Sequence, residues 1–425
     1  MSLLGFDLMA SLAESGSVKE YYQLHLTEEL FKPSELELFH FVDSNVRKYG
    51  KIPSTTTIND FLSAYEEQLP VATEPPRFYK DKVYERFIAN GIKQITAQTK
   101  EIYEDHTQGP LEALNFMATE ASRLAISKNS GKLIDFRESH DIIKADYNEK
   151  FKGGDNYGIQ TGWPYLDEMS GGLVGGDVIV YLGRPGMGKT WMLLYSAHHA
   201  WFHQKKPVMF VSMEMVPLLI MQRLASMHTH YSLTKLKKAE LSTKAYNNML
   251  KGLKQVGTEE HPFWVVDGNL TTKIEDIFML ANILQPEAIY VDGAYMVKTN
   301  DRRVNANRWD RIAYVVEGLK SNIATELHIP VSATYQLTRD SIKKTKKEGD
   351  RLGLEDIYGG DSIGQIASLV MGLMQHDTVE TINRRRVDIM KGRGGEIGGY
   401  DINWMFDFMN FDQYIPEKPE DLQFI

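Results

Sequence analysis

Eight consecutive residues, Gly183-Arg184-Pro185-Gly186-Met187-Gly188-Lys189-Thr190, spell G-x-x-x-x-G-K-T, a pattern whose chemistry is the capture of phosphate. The three glycines let successive backbone N–H groups turn toward one centre, a nest for phosphate oxygens at a helix N-terminus. Lys189 then reaches the outer phosphates, and the Thr190 hydroxyl is placed to ligate Mg²⁺. Residues 178–182 before the loop are an apolar run suited to a buried strand. Residues 191–201 after it are apolar and helix-compatible, so the strand–loop–helix context is present. The segment predicts a nucleoside triphosphate site for ATP or another NTP.

Two further strand ends carry acids. Residues 288–291 form an apolar strand closed by Asp292, the form of a carboxylate that holds Mg²⁺ beside a bound triphosphate. Residues 208–212 form another, followed by Met213 and Glu214; hydrolysis needs a carboxylate to orient and deprotonate water, and Glu214 is the candidate. A third strand, 330–335, ends at Gln336, whose neutral amide can bond the terminal phosphate and change partner when it leaves.

These residues need a scaffold that brings strand ends together. From about residue 155 onward, short apolar runs at 178–182, 207–211, 263–266, 288–291, 330–333 and 368–374 alternate with helical segments. That alternation predicts an α/β fold, a mostly parallel sheet covered on both faces. Residues 1–127 read as helix after helix: Leu36, Phe39, Val42 and Val46 mark one apolar face, and helical patterns follow at 55–69, 77–105 and 110–126. The polar stretch 127–132 marks a boundary, and 137–151 predicts one more amphipathic helix before Gly153-Gly154. Such a lone helix must bury its apolar face on one of the flanking domains or on a neighbouring subunit. The expected division is a helical interaction domain at 1–127, a linker with a helix at 128–154, and the α/β domain at 155–425.

The ordered set of motifs resembles the replicative DNA helicases of the DnaB family, ring-shaped motors with a RecA-like ATPase core. The resemblance runs through 158–163, Leu166-Asp167, 171–173, the phosphate loop, 212–215, Asp292, 336–339 and 391–395. It implies that Lys189 and the residues from Gly183 to Thr190 bind nucleotide, Glu214 is the base, Asp292 sits on the Mg²⁺ side, and Gln336 is a sensor. It also implies that Lys391 and Arg393 reach into the active site of the adjacent subunit. The alternative for that pair is a solvated turn between two final strands. The resemblance further implies a homo-hexameric ring that encircles single-stranded or forked DNA and moves 5′ to 3′. Its helical collar would meet a primase, polymerase or helicase loader.

Two basic loops suit the DNA. One spans 301–311, with Arg302, Arg303 and Trp309. The other spans 339–351, with Arg339, Lys343 and Lys344. Both follow core strand ends, and phosphate contacts from such loops give affinity without base readout. Where the family usually carries Arg-Glu-Ser-Gly before the next helix, this chain reads Tyr358-Gly359-Gly360-Asp361. Gly359 and Gly360 can offer backbone N–H groups there, but the arginine and glutamate are missing.

Composition narrows the alternatives. The 425 residues carry a net charge of −9 and no cysteine, which excludes disulfides, thiolate metal sites and cysteine nucleophiles. Residues 1–150 hold 24 Asp/Glu against 17 Lys/Arg; an acidic total argues against a protein that coats nucleic acid over its whole surface, while a local basic channel remains allowed. His198, His199 and His203 follow the phosphate loop without an acid at ligand spacing, which favours packing over zinc. No window approaches the roughly 18 apolar residues of a membrane span. With no export signal, the cytoplasm is expected, or the host cytoplasm for a virus-encoded member. Two rivals share the core: a RecA- or KaiC-like ATPase without unwinding activity, and a nucleotide-binding structural ring or loading platform.

Overall fold

The computed structural model describes residues 4–24, 26–105, 109–126, 136–153, 158–338, 352–358, 361–375 and 383–415. Contacts within the chain separate it into two compact units, Met1–Ile143 and Lys144–Ile425.

The first unit is built of helices α1 (Leu4–Ser15), α2 (Val18–Gln23), α3 (Pro33–Tyr49), α4 (Thr55–Ser63), α5 (Pro76–Glu104) and α6 (Pro110–Ile126). Small hydroxyl residues start several of them. Ser17 caps α2 by accepting from the Glu20 N–H, and Ser54 caps α4 by accepting from the Thr57 N–H. The expected face of α3 is buried, with Phe39, Val42 and Val46 packed against Leu8, Leu12 and Ile58. α4 stops at Ser63, short of the expected 69. Glu66 adopts φ 59° and the Glu67 N–H closes on the Leu62 carbonyl at 3.2 Å, turning the chain so that Leu69 packs on the same core. Glu35 ties three helices together. Its fully buried carboxylate accepts from the Gly5 N–H at 3.0 Å, the Lys32 N–H at 2.9 Å and Arg86 Nη1 at 2.7 Å. Burial alone would raise this carboxyl; those donors outweigh it and hold it below the usual range.

Helix α7 (Ser139–Gly153) crosses the division between the units. Ile142, Ile143, Tyr147 and Phe151 are all exposed on it.

The second unit carries α8 (Pro164–Ser170), β1 (Val178–Gly183), α9 (Lys189–Phe202), β2 (Val208–Ser212), α10 (Pro217–Thr229), α11 (Leu233–Lys237), α12 (Thr243–Val256), β3 (Phe263–Asp267), α13 (Ile274–Leu284) and β4 (Ala288–Asp292). Then follow α14 (Arg302–Ala306), α15 (Arg308–Gly318), β5 (Val331–Gln336), α16 (Asp361–Ile366), β6 (Leu369–Met374), β7 (Arg384–Lys391) and β8 (Gly398–Asn403). The strands form one sheet in the order β3-β2-β4-β5-β1-β6-β7-β8. The first six positions pair in parallel, and β7 and β8 close the edge antiparallel. The six strand runs read from the sequence are these six parallel strands.

Every residue of β1, β2, β4 and β6 is buried, as strands covered on both faces require. On one face Ile179, Tyr181, Phe210, Tyr290 and Met371 pack with Met192, Leu193 and Ala197 of α9. Parallel register then aligns the chemistry. Gly183 sits beside Gln336, and Ser212 beside Asp292.

Candidate nucleotide site and its opposite edge

The phosphate loop leaves β1 at Gly183 and turns through Gly186 (φ 80°) and Gly188 (φ 108°), backbone states that side chains with a Cβ rarely adopt. A Cβ at Gly188 would also run into the Trp404 ring, which lies over this turn. Arg184 anchors the loop sideways, its Nη1 donating to the Leu337 carbonyl at 3.0 Å, one residue past Gln336. Pro185 is exposed, while Met187 packs against the core. Lys189 opens α9 and is buried. Burial lowers its ammonium pKa, and the carboxylates of Glu214 and Asp292 oppose that shift.

Asp292 ends β4 beside the loop. Its Oδ2 accepts from the Thr190 hydroxyl at 2.8 Å, and its Oδ1 from the Thr334 hydroxyl at 2.9 Å. Thr334 in turn accepts from the Gly293 N–H at 2.7 Å. Burial raises the Asp292 carboxyl against those two hydroxyl donors. A hydroxyl and a carboxylate meeting at a phosphate loop are hard oxygen donors of the kind Mg²⁺ takes.

Glu214 follows β2 and is exposed, so it faces the space above the strand ends. Sequence reasoning missed its partner. The Tyr295 hydroxyl donates to Glu214 Oε1, and the Gln336 side chain hydrogen-bonds the same hydroxyl. Glu214 and Gln336 therefore share one phenol. Tyr295 reaches them because Gly293, at φ 84°, lets a short 3₁₀ turn (Ala294–Met296) double back, and a Cβ at Gly293 would press on Glu214 at 3.0 Å. Burial raises the Tyr295 pKa, and the Glu214 bond adds to it. An aromatic three residues after a strand-ending acid is no motif, so the sequence held no signal for it.

Arg223 of α10 was also missed. Its guanidinium lies 4.8 Å over the Trp191 ring and feels the charges of Asp292 and Glu214. Trp404 and Trp191 both pack on Phe411, at 5.1 and 5.3 Å. His198 and His228 meet at 3.1 Å among Trp201 and Phe202, and among the described residues no three or more His, Cys, Asp or Glu side chains gather as ligands for a metal ion.

Lys391 and Arg393 lie at the other end of the sheet. Lys391 pairs with Val370, near the start of β6, and its Nζ donates to the Gly364 carbonyl at 2.7 Å. Arg393 pairs with Asp177, the residue just before β1. It also donates to the carbonyls of Ser170 at 3.1 Å and Gly172 at 3.0 Å. Their own phosphate loop leaves the far end of β1, six residues away, or about 20 Å. The structure does not bring this pair to its own nucleotide site.

Of the DNA candidates, Arg303 is placed in α14 with its side chain almost wholly exposed, and Arg302 opens the same helix. Arg339, Lys343, Lys344, Gly359 and Gly360 lie outside the described residues.

Comparison with known proteins settles which nucleotide-binding fold this is. Residues 158–413 match the family described as DnaB-like helicase C terminal domain, three-fifths of the chain. The chain belongs to the DnaB-like helicases. It is similar to the Replicative DNA helicase DnaB of Treponema pallidum (strain Nichols), 30% identical over 297 residues, covering 69% of this chain and 63% of that protein. To the Replicative DNA helicase DnaB of Buchnera aphidicola it is 28% identical over 381 residues, 85% of this chain and 79% of the other. A solved DnaB-like replicative helicase, described together with its interactions with primase, matches 96% of this chain and 99% of its own with TM-score 0.61 at 18% identity. The expected RecA-like α/β motor preceded by helices is borne out, and so is the class of activity, a replicative helicase with an ATPase core. Neither the RecA- or KaiC-like ATPase without unwinding activity nor the structural ring or loading platform is favoured. Among the described residues, no helix is long and apolar enough to cross a membrane.

Proposed function

We propose that this chain is an ATP-driven DNA helicase acting as a homo-hexameric ring, moving 5′ to 3′ on single-stranded DNA and excluding the other strand of a fork. One observation carries the reading. The phosphate loop, Glu214, Asp292 and Gln336 gather at one end of the sheet, while Lys391 and Arg393 stand at the other. A protomer so built has a nucleotide site without its own arginine, and a head-to-tail ring supplies one at every interface.

Within one site, the loop glycines and Lys189 bind the triphosphate. Thr190 and Asp292 would hold Mg²⁺, which neutralises charge on the phosphates when bound. Glu214 accepts the proton of the attacking water, held by the Tyr295 hydroxyl. Gln336 reports the terminal phosphate to the loops beyond β5. Arg393 of a neighbouring copy stabilises the charge on the transferring phosphoryl group.

The ring also accounts for α7, whose exposed Ile142, Ile143, Tyr147 and Phe151 need a surface, and a second copy of this chain offers one. The helical block at 1–127, joined by the linker at 128–154, is the part free to recruit primase, polymerase or loader. The basic loops Arg302–Arg303 and Arg339–Lys344, with Gly359 and Gly360, would line the path of the strand. The cytoplasm is the proposed location.

Forked duplexes with a single tail of either polarity test the reading, alongside native mass spectrometry. Displacement from the 5′-tailed fork by a six-subunit particle, lost in Lys189→Ala, is expected. Nucleotide hydrolysis without displacement of either fork would refute it.

A further inference from the structure

Trp309 is the second residue of α15 and is about half exposed, although it stands on the first turn of a helix whose next turns are buried. Its backbone N–H is held by Asn307 Oδ1 at 2.9 Å, which fixes where the side chain starts. The Tyr358 ring lies against it, centroids 5.0 Å apart and tilted by 48°. The Arg308 guanidinium sits 4.8 Å over that same Tyr358 ring. Arg308 and Trp309 come from the segment after β4, and Tyr358 from the segment after β5. Two sequence-distant loops thus build one aromatic and cationic cluster beyond the strand ends.

The cluster is also wired to the nucleotide site. The Tyr358 N–H donates to the Gln336 carbonyl at 2.9 Å, and Ile357 pairs with Leu337 in a short antiparallel bridge. A shift of Gln336 is therefore passed to Tyr358 through one backbone hydrogen bond, without crossing the loop between them.

Resting on the helicase reading above, we infer that Trp309, backed by Tyr358 and flanked by Arg308 and Arg303, is a stacking platform for a base of single-stranded DNA. Charge chooses the occupant. Arg308 lies over the Tyr358 ring and Arg303 is exposed on the preceding α14, so both suit phosphates, and every base has a π-face, so the platform takes any sequence. Asp301 and Asp310 are the acids on the segment of Trp309, and Glu355 and Asp356 precede Tyr358; Asp301 is already engaged, 3.6 Å from Arg303 Nε and accepting from the Arg303 N–H, and Asp356 accepts from the Gly353 N–H at 2.9 Å. The platform adds to the phosphate contacts expected of the pore loops a contribution that does not depend on salt. It also stands where the family's usual arginine and glutamate are missing.

The test uses full-length protein with a non-hydrolysable ATP analogue and fluorescent oligothymidylate, titrated across a salt series. Trp309→Ala is expected to weaken binding by about tenfold, with an unchanged salt slope, because stacking releases no counterions. An oligonucleotide bearing abasic sites should cost the wild type a similar factor and cost Trp309→Ala nothing further. Arg303→Gln and Arg308→Gln should instead reduce the slope by about 0.7 for each phosphate no longer neutralised. Unchanged affinity in Trp309→Ala, or an equal abasic penalty in both proteins, overturns the platform while leaving the helicase reading intact. Loss of ring assembly in Trp309→Ala, with the remaining rings binding DNA normally, assigns the residue to a subunit contact and also overturns it. Failure of the wild type to bind single strands overturns the helicase reading beneath it.

Discussion

The separation of Arg393 from its own phosphate loop makes a quantitative prediction about mixed rings. Six residues of β1 at about 3.3 Å each put the loop roughly 20 Å from the end where Arg393 sits, far beyond the reach of one side chain. Arg393→Ala should therefore abolish hydrolysis while nucleotide binding persists. The expected loss is about 10³–10⁵ in rate, or roughly 4–7 kcal/mol of transition-state stabilisation. The fold should survive. Asp177 keeps the Val174 N–H as donor at 3.2 Å, and losing the arginine's bonds costs about 1–3 kcal/mol, which a melting curve will register. Lys189→Ala should be equally inactive for the opposite reason. Mixing the two places an intact loop next to an intact arginine at up to about one quarter of the interfaces of a randomly assembled head-to-tail ring. ATPase should therefore appear in the mixture, peak near equal proportions and vanish toward either pure variant. An arginine acting within its own chain, or only as a structural tie to Asp177, predicts no recovery at any ratio, and that result would refute the reasoning.

Tyr295→Phe removes the hydroxyl shared by Glu214 and Gln336 without altering the ring that packs there. Turnover should fall by about five- to tenfold, the worth of one orienting hydrogen bond, with KM for nucleotide unchanged. Normal kcat, or lost nucleotide binding, would remove Tyr295 from this role. The half-buried histidines of α9 predict acid lability of the second unit. Burial, reinforced by neighbouring histidines, pushes His198 down to about 3 and His199 to about 4, while an unfolded histidine titrates near 6.5. Below about 6.5 the unfolded chain takes up protons that the folded chain refuses. Stability is therefore lost as pH falls toward those folded values, by about 1.4 kcal/mol per unit for each histidine. Thermal melts between about pH 7.5 and 5.5 should show the decline, and His198→Gln should flatten it; a flat wild-type profile contradicts the burial argument.

The residues legible in the sequence are those whose geometry is set by the backbone. Gly183, Gly186 and Gly188 could be read because a phosphate nest needs left-handed turns, and two of the three adopt them. Asp292 could be read because a parallel strand can only deliver it at its carboxyl end. What could not be read depends on side chains meeting across elements. Tyr295 reaches Glu214 through the positive φ of Gly293, Arg223 reaches the site from α10, and Trp404 covers Gly188 from the segment just after the edge strand β8. The length of α4 failed for a related reason: its helical pattern continues to Leu69, but the core of the first unit needs Leu69 delivered by a turn.

Arg393 shows where motif reading and geometry supply different halves of one argument. The family resemblance implies that Arg393, with Lys391, serves the nucleotide of the adjacent subunit, but gives no physical reason for it. Sheet topology removes the protomer's own. β7 runs antiparallel to β6, so the turn after it returns to the end from which the parallel strands start. Asp177 and the carbonyls of Ser170 and Gly172 then hold the guanidinium in place. A residue fixed at the wrong end of its own sheet is at the right end for a neighbour stacked head to tail. On the proposed ring, the antiparallel edge would turn hydrolysis from a property of the chain into a property of the assembly.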